Sequence, residues 1–269
     1  RGDIFTVPAS KGKIVNLTHS QGVHDRNPVW SPDGKWIAYI SDNGMDNEIY
    51  IVDSEGKNPS KLTDSSKSYL WELQWSPDSK KILYSDKLMK LYILDIETKK
   101  NTEVAKSKQW EIRDYNWSPD SKWVAYTDVD YNNVPVIYLY STSNGKAYKI
   151  TDEFFENGNP VFSPNGKYLF FISNRSFNPK IGNNEWNYIY ENENNIFGIT
   201  LQDTLGTPFE FENDTVAIKE KGEGSKEKEE KGKKEKGKKE KDNEKEAADI
   251  KIDLQNIENR LFELPTKTS

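Results

Sequence analysis

The sequence predicts an all-β protein with a β-propeller fold, in the form of an incomplete arc of about five four-stranded blades. The main observation is an internal repeat, in which an aromatic residue, Ser, Pro, and Asp or Asn precede a strand-like segment. The repeat occurs four times, and its serines lie 45, 42 and 45 positions apart. A period of about 40–45 residues is typical of one propeller blade. A second observation is that apolar runs follow each repeat, as expected for sheets covered on both faces.

Each part of the repeat has a structural explanation. Pro fixes φ at the second position of a turn, and Asp, Asn and Gly suit the next positions. We therefore interpret the repeat serines as turn residues rather than nucleophiles, and Asp33, Asp78 and Asp120 as residues that bond to their own turns. The aromatic residue before each turn is expected to pack between neighbouring blades. The serines are Ser31, Ser76, Ser118 and Ser163, and the preceding aromatic residues are Trp30, Trp75, Trp117 and Phe162.

The repeat also predicts the domain boundaries. Residues 1–218 are expected to form blades, beginning with a half blade at 1–18 that contains only a third and an outer strand. Complete repeats follow at about 24–63, 69–105, 112–151 and 157–209. Residues 219–246 read as a disordered Lys/Glu-rich insertion, and 247–269 as the start of a further blade. Because an open arc exposes unpaired edges, we expect the protein to continue beyond Ser269.

Composition restricts the function classes. The 269 residues carry a formal charge of −6, while residues 219–246 hold twelve Lys and ten acidic residues, so the body of the chain is acidic. An acidic body disfavours a nucleic-acid partner, and no stretch approaches the ~18 apolar residues of a membrane span. The absence of cysteine excludes disulfides and thiolate metal sites but leaves both a cytoplasmic and a periplasmic location open.

The sequence offers few residues for catalysis or metal binding. It contains no nucleophile elbow, no Gly-rich phosphate loop and no zinc-spaced histidine pair. His19 and His24 are the two histidines, and we favour a role in the loop before the first repeat over a metal site. The polar segment 42–47 has a calcium loop as its alternative interpretation, but it lacks the spaced ligands and closing Glu of an EF-hand. We therefore expect no catalytic residue, no metal and no cofactor in this chain.

The inner strands supply the candidate binding residues. The first strand of each blade lines the central channel of a propeller. Charged groups there are suited to contact the backbone or the termini of a peptide, and the alternative is a solvated rim with ion pairs between blades. The candidates are Asp25, Arg26, Trp71, Glu72, Arg113 and Asp114, followed in the fourth repeat by Gly158 and Asn159.

One loop is much longer than its counterparts in the other repeats. It covers about Asn174 to Asn195 and contains Trp186, Tyr188 and Tyr190. Loops of this length are usually functional or disordered.

Several segments resemble the second propeller of tricorn-type proteases, and the resemblance covers nearly the whole chain except 219–246. The Ser-Pro-Asp-Gly blade alone is shared with TolB-like and prolyl-oligopeptidase-like propellers, so the other segments are more specific. They are Arg1–Pro8, Asn16–Thr18, Gly22–Pro28 leading into Trp30–Gly34, Ser173–Pro179, Glu185–Tyr188, Ile252–Arg260 and Leu264–Pro265.

The resemblance implies a function. Tricorn-like proteases are modular serine peptidases whose catalytic residues lie in domains after the propellers, and their seven-bladed propeller is thought to lead peptides to the active site. It therefore implies a peptide channel or gating module whose partners are peptides or unfolded polypeptide, other domains of the parent chain and, in an oligomer, further copies. The alternatives are a stand-alone TolB-like interaction propeller and the gating propeller of a prolyl-oligopeptidase-like enzyme.

Overall fold

The computed structural model of the chain describes residues 2–64, 66–176, 180–181, 188–189, 194–209 and 249–265. Only the strand pairing is described for 180–181 and 188–189. The predicted disordered insertion 219–246 lies outside the described residues, as do Trp186 and Tyr190 of the long loop.

Twenty strands and a single short 3-10 helix make up the described chain. A pair of short strands comes first, β1 (Phe5–Thr6) and β2 (Val15–Asn16). The next twelve are β3 (Asp25–Trp30), β4 (Trp36–Ser41), β5 (Glu48–Asp53), β6 (Ser60–Lys61), β7 (Leu70–Trp75), β8 (Lys81–Asp86), β9 (Lys90–Asp95), β10 (Asn101–Lys106), β11 (Tyr115–Trp117), β12 (Trp123–Val129), β13 (Pro135–Ser141) and β14 (Lys146–Lys149). The last are β15 (Asn157–Phe162), β16 (Tyr168–Ser173), β17 (Lys180–Ile181), β18 (Tyr188–Ile189), β19 (Asn195–Thr200), the 3-10 helix (Ile257–Arg260) and β20 (Leu261–Glu263).

The strands form separate antiparallel sheets, which confirms the predicted all-β propeller class. Blade 1 has the order β3-β4-β5-β6, blade 2 the order β7-β8-β9-β10, and blade 3 the order β11-β12-β13-β14. In the described ranges no sheet closes on itself, and β1 pairs only with β2. Each blade therefore follows the chain as an up-and-down meander whose first strand is left at one edge.

Blade 4 corrects one boundary. We expected 247–269 to begin a further blade, but β20 pairs with β19 and completes the sheet β15-β16-β19-β20. The physical reason is that the unpaired edge of β19 is filled by the chain when it returns after the insertion. Phe262 packs directly onto Gly198, where an added Cβ would lie 2.4 Å from the ring. A three-residue strand has too little pattern to show which edge it joins.

The Ser-Pro turns have the predicted structure. Ser31 Oγ donates to Asp33 Oδ1 at 2.6 Å and accepts from the Trp36 N–H at 2.9 Å. The same pair of bonds recurs at the turns of Ser76, Ser118 and Ser163. The serines of all four turns are buried. The interpretation of these serines as turn residues is therefore confirmed.

The turns also link adjacent blades. The Asp33 N–H donates to Ser79 Oγ of blade 2, and the Asp78 N–H donates to Ser121 Oγ of blade 3, both at 3.1 Å. Ser79 and Ser121 occupy the same turn position as Gly34, with φ of 58° and 60°. This left-handed conformation is strained for residues other than glycine, and at both positions the serine hydroxyl accepts the bond between blades.

The aromatic residues before the turns pack between blades, with one exception. Trp75 and Trp117 are 6% and 4% exposed, and their indole N–H groups donate to the carbonyls of Val29 and Gln74 in the preceding blade. Trp30, in contrast, is 52% exposed. Among the described residues, the sheet before it in the chain contains only β1 and β2, and no first strand covers the indole.

The core lies between the blades rather than inside any one of them. One apolar cluster joins blade 1 to blade 2, a second joins blade 2 to blade 3, and a third joins blade 3 to blade 4. Because every cluster draws side chains from two sheets, no blade buries its apolar faces alone.

The seam between blades 3 and 4 is closed differently from the other two. Its turn position holds Gly166, which has no hydroxyl to accept the bond from blade 3. Instead, the segment that follows the insertion lies in the seam: the Ile250 N–H donates to Asp120 Oδ2 at 2.8 Å, and Asp249 pairs with Lys122. A Cβ on Gly166 would lie 2.6 Å from the Ile250 side chain.

Gly166→Ser is expected to lower the free energy of unfolding by about 1–3 kcal/mol relative to Gly34→Ser, because the new side chain overpacks against Ile250. Both glycines have positive φ, 66° and 70°, so the backbone strain is common to the two variants. Gly34 has no atom within 4 Å of an added Cβ. Urea unfolding of both variants measures the difference, and equal midpoints would contradict the packing of Ile250 on this turn.

Trp75→Phe is expected to cost about 1–3 kcal/mol of unfolding free energy, because the bond to the Val29 carbonyl is lost and the smaller ring leaves space between blades. Trp30→Phe is the matched control. Its exposed indole predicts a change within about 0.5 kcal/mol. A similar loss of unfolding free energy in both variants, measured by thermal or urea unfolding, would show that the indole hydrogen bond between blades does not stabilise the fold.

Candidate functional site at the inner edge of the arc

The first strands of successive blades lie side by side. The Arg26 guanidinium on β3 donates to the Leu70 carbonyl of β7 at 3.0 Å. The Tyr115 hydroxyl on β11 donates to the Glu72 carbonyl of β7 at 2.6 Å. Each of these strands is the terminal strand of its sheet, so the free edges of the blades meet along one line, which we call the inner edge.

We group the residues of the inner edge into three rows, according to how many positions in the sequence each residue precedes the aromatic residue of its Ser-Pro turn. The row five residues before it is buried in every blade: Asp25, Leu70, Ile112 and Asn157. The row four residues before it holds Arg26, Trp71, Arg113 and Gly158, and the row three residues before it holds Asn27, Glu72, Asp114 and Asn159. Five of the six predicted residues belong to the rows four and three residues before the aromatic residue.

Asp25 is the sixth predicted residue, and it lies in the buried row. It is 6% exposed and accepts a hydrogen bond from the hydroxyl of Ser20, whose main-chain N–H donates to Asp3 Oδ1. Its carboxylate therefore holds the loop before blade 1 in place and is not presented to a ligand.

A ladder of cations and aromatic rings joins three blades along the inner edge. The Arg26 guanidinium carbon lies 4.0 Å from the centre of the Tyr69 ring, and Tyr69 meets Trp71 edge-on with 4.7 Å between centroids. The guanidinium of Arg113 stacks over Trp71 at 3.3 Å. Burial lowers the pKa of Arg26, but an arginine stays protonated in proteins. These contacts hold two positive charges at fixed positions on the rim.

A cavity of about 260 Å³ opens where blades 3 and 4 meet. Its lining includes two predicted residues, Arg113 and Asp114, together with Gly158 and Asn159 of the fourth repeat. The lining residues that the sequence analysis missed include Glu111, Glu156 and Asn157. Glu111 and Glu156 both lie six residues before the aromatic residue of the turn, so the repeat register could have identified them.

The blade 4 wall of the cavity contains Asn157, a buried side chain whose hydrogen bonds are made within the protein. Asn157 is 1% exposed, its side-chain oxygen accepts from Arg175 Nη2 at 2.9 Å, and its amide donates to the Phe155 carbonyl at 2.7 Å. Arg175 also lies 3.5 Å from Asp152. The wall on the blade 4 side is therefore built from partnered groups, as buried polar side chains require.

The other sequence candidates lie away from this cavity. The His24 main-chain N–H donates to Asp42 Oδ1 at 2.7 Å, which links the loop before blade 1 to segment 42–47. In the part of the chain that the structure describes, no cluster of three or more His, Asp or Glu side chains is placed to hold a metal ion. The described ranges also contain no helix with the length and apolar character needed to cross a membrane.

The comparison with known families is decided by one match. Residues 1–269, the whole chain, match the family model of the tricorn protease second β-propeller domain. The chain belongs to this family. The resemblance stated from the sequence is therefore confirmed.

The relatives are much longer than this propeller chain. The uncharacterized peptidase YuxL of Bacillus subtilis is 31% identical over 173 residues, which cover 64% of the chain and 25% of that protein. A Sulfurisphaera tokodaii protein, named as a tricorn-like protease C-terminal subunit, is 26% identical over 66% of the chain and 20% of its own length. The crystal structure of the tricorn protease matches in fold with a TM-score of 0.76 and 17% identity, over 98% of this chain and 23% of that chain. The tricorn-family chain thus spans a fifth to a quarter of each.

Tyr115 gives the inner edge of this tricorn-family propeller a measurable pH dependence. Burial raises the pKa of Tyr115 to about 12, so the folded state keeps a proton that the unfolded chain loses near pH 10. The unfolded state then binds fewer protons, and stability falls as pH rises from about 10 to about 12. We expect Tyr115→Phe to remove about 1 kcal/mol of the loss between pH 9 and 11. The exposed Tyr131→Phe is the control, and urea midpoints at several pH values measure the effect. Parallel pH profiles of the two variants would contradict the assignment.

Proposed function

We propose that this chain is the substrate channel or gating module of a tricorn-like serine peptidase. Peptide or unfolded polypeptide would pass along the inner edge, while the catalytic residues belong to other domains of the parent chain. The observation that carries this proposal is the row of terminal strands at the inner edge. The fixed cations of the ladder and the adjoining cavity face the line along which these strands lie.

An extended peptide suits this surface because charges of both signs lie along it. Side chains of the inner edge already bond to the carbonyls of Leu70, Glu72 and Gln74 on β7, so the peptide would be held by side chains rather than by strand pairing. Arg113 and Glu72 supply a positive and a negative charge next to this edge. An unstructured polypeptide can bring its termini and main-chain groups to these charges, whereas a folded protein exposes few of them, so the inner edge should prefer unstructured polypeptide.

The test uses the 269-residue chain and a short, fluorescently labelled, unstructured peptide, with binding measured by anisotropy and cleavage by mass spectrometry. We expect binding without cleavage, and no binding of a folded protein of similar charge. For a peptide whose amino terminus is blocked and which contains no lysine, Arg113→Ala should weaken binding several-fold, because it removes a positive charge that pairs with the carboxylate of the peptide. Lys80→Ala is the matched control, in a turn at the opposite end of blade 2.

Three outcomes would contradict the proposal. Hydrolysis of the peptide by this chain would place catalysis in the propeller itself. A parent reading frame without a peptidase domain would remove the proposed destination of the peptide. Binding of folded proteins in preference to peptides would favour a stand-alone interaction propeller.

A further inference from the structure

We propose that the cavity between blades 3 and 4 binds an ammonium group of a peptide, supplied either by a free amino terminus or by a lysine side chain. This inference rests on the proposed function and deepens it, because it names the part of the peptide that the inner edge holds. Three features support it: the charge of the cavity, its size and the aromatic residues beside it.

The charge of the cavity favours a cation. Glu111, Asp114 and Glu156 contribute three carboxylates to its lining, and Arg113 contributes the one positive charge. The guanidinium of Arg113 is stacked against Trp71 of blade 2 at 3.3 Å. A carboxylate attracts a cation more strongly in a partly enclosed site than in bulk water.

The concentration of acidic groups is specific to this seam. The position six residues before the aromatic residue of each Ser-Pro turn differs between blades. It is His24 in blade 1 and Tyr69 in blade 2, whereas it is Glu111 in blade 3 and Glu156 in blade 4. The repeat therefore places two carboxylates at equivalent positions of neighbouring blades, on opposite sides of one cavity. Asp114, three residues before Trp117, adds the third.

Other ligand classes fit less well. An anion would meet an excess of like charge. A divalent metal would need a set of ligating side chains that the described residues do not assemble. The volume of about 260 Å³ is near the lower limit of pockets that hold small organic ligands, which suits one side chain or one chain terminus.

The aromatic residues beside the cavity favour an apolar residue next to the ammonium group. Trp110 directly precedes Glu111 and is 61% exposed, and Phe154 lies two residues before Glu156 and is 88% exposed. Both belong to connections between blades, at the same end of the sheets as the cavity. Large exposed apolar side chains on a soluble domain indicate a contact surface.

Other exposed apolar side chains also lie in turns at the end of the sheets where the cavity opens. In an up-and-down blade, the turn between the second and third strands lies at the same end as the connection to the next blade. Met45, Leu88 and Tyr131 lie in the turns between the second and third strands of blades 1, 2 and 3, and all three are exposed. The opposite turns, at 54–57 and 97–100, carry charged and polar residues instead. The peptide is therefore expected to enter from the end with the apolar side chains.

The experiment compares three synthetic peptides of one apolar, unstructured sequence with the full chain by isothermal titration calorimetry. The first has a free amino terminus and no lysine, the second is N-acetylated without lysine, and the third is N-acetylated with one lysine. We expect the ammonium-bearing peptides to bind about tenfold more tightly than the neutral one. Added salt should reduce this advantage, because it screens the carboxylates.

Substitutions test the location. Asp114→Asn and Glu156→Gln are each expected to reduce the advantage of the ammonium-bearing peptides several-fold and to leave the neutral peptide unchanged. Glu156 is exposed, so its variant retains the fold if the Asp114 variant does not. Glu97→Gln, in a turn at the opposite end of blade 2, is the matched control and should bind like the unsubstituted chain.

The outcomes separate this inference from the function on which it rests. Equal binding of all three peptides would overturn the ammonium site and leave the channel function standing. An ammonium preference that survives both Asp114→Asn and Glu156→Gln would place the group elsewhere and also overturn it. If none of the three peptides binds, both proposals fail.

Discussion

The contact between one blade and the next is the interaction on which the rest of this structure depends. No sheet has enough apolar surface of its own, so each becomes stable only when its faces are covered by neighbours. Trp75 and Trp117 pack against the first strand of the preceding blade, and the turns of blades 1 and 2 each donate a hydrogen bond to the turn of the next blade. The buried hydroxyls of the repeat, such as Ser76, hold that turn in the shape that both contacts need.

The inner edge follows from this packing. Because Trp75 and Trp117 are fixed against the preceding blades, residues at equal distances from them come to equivalent positions in space. Arg26, Trp71 and Arg113 lie in one row for this reason, and each reaches across a seam. The pairing of charge with aromatic ring is thus a consequence of the repeat register. It places cations at the rim without the desolvation that full burial would demand.

The seam between blades 3 and 4 is where the repeat is broken, and it is also where the cavity lies. A glycine replaces the serine at position 166, and the chain that returns after the insertion supplies the missing contact through Ile250. On the inner side of the same seam, Glu111, Asp114 and Glu156 line the cavity. Departures from a structural repeat are the places where a functional site is expected, and the proposed ammonium site lies at this one.

The sequence by itself determined the blade repeat, the role of Ser31 and its counterparts, the all-β class and the family, because turn chemistry and alternation are local properties. It also identified five residues of the inner edge, since they recur in register. Three features were decided only by the tertiary structure: the return of Leu261–Glu263 to the edge of β19, the burial of Asp25 and the presence of three acidic residues in the lining of one cavity. Each depends on which surface a segment meets in space. A short strand or a single carboxylate has no local pattern that specifies its partner across a seam.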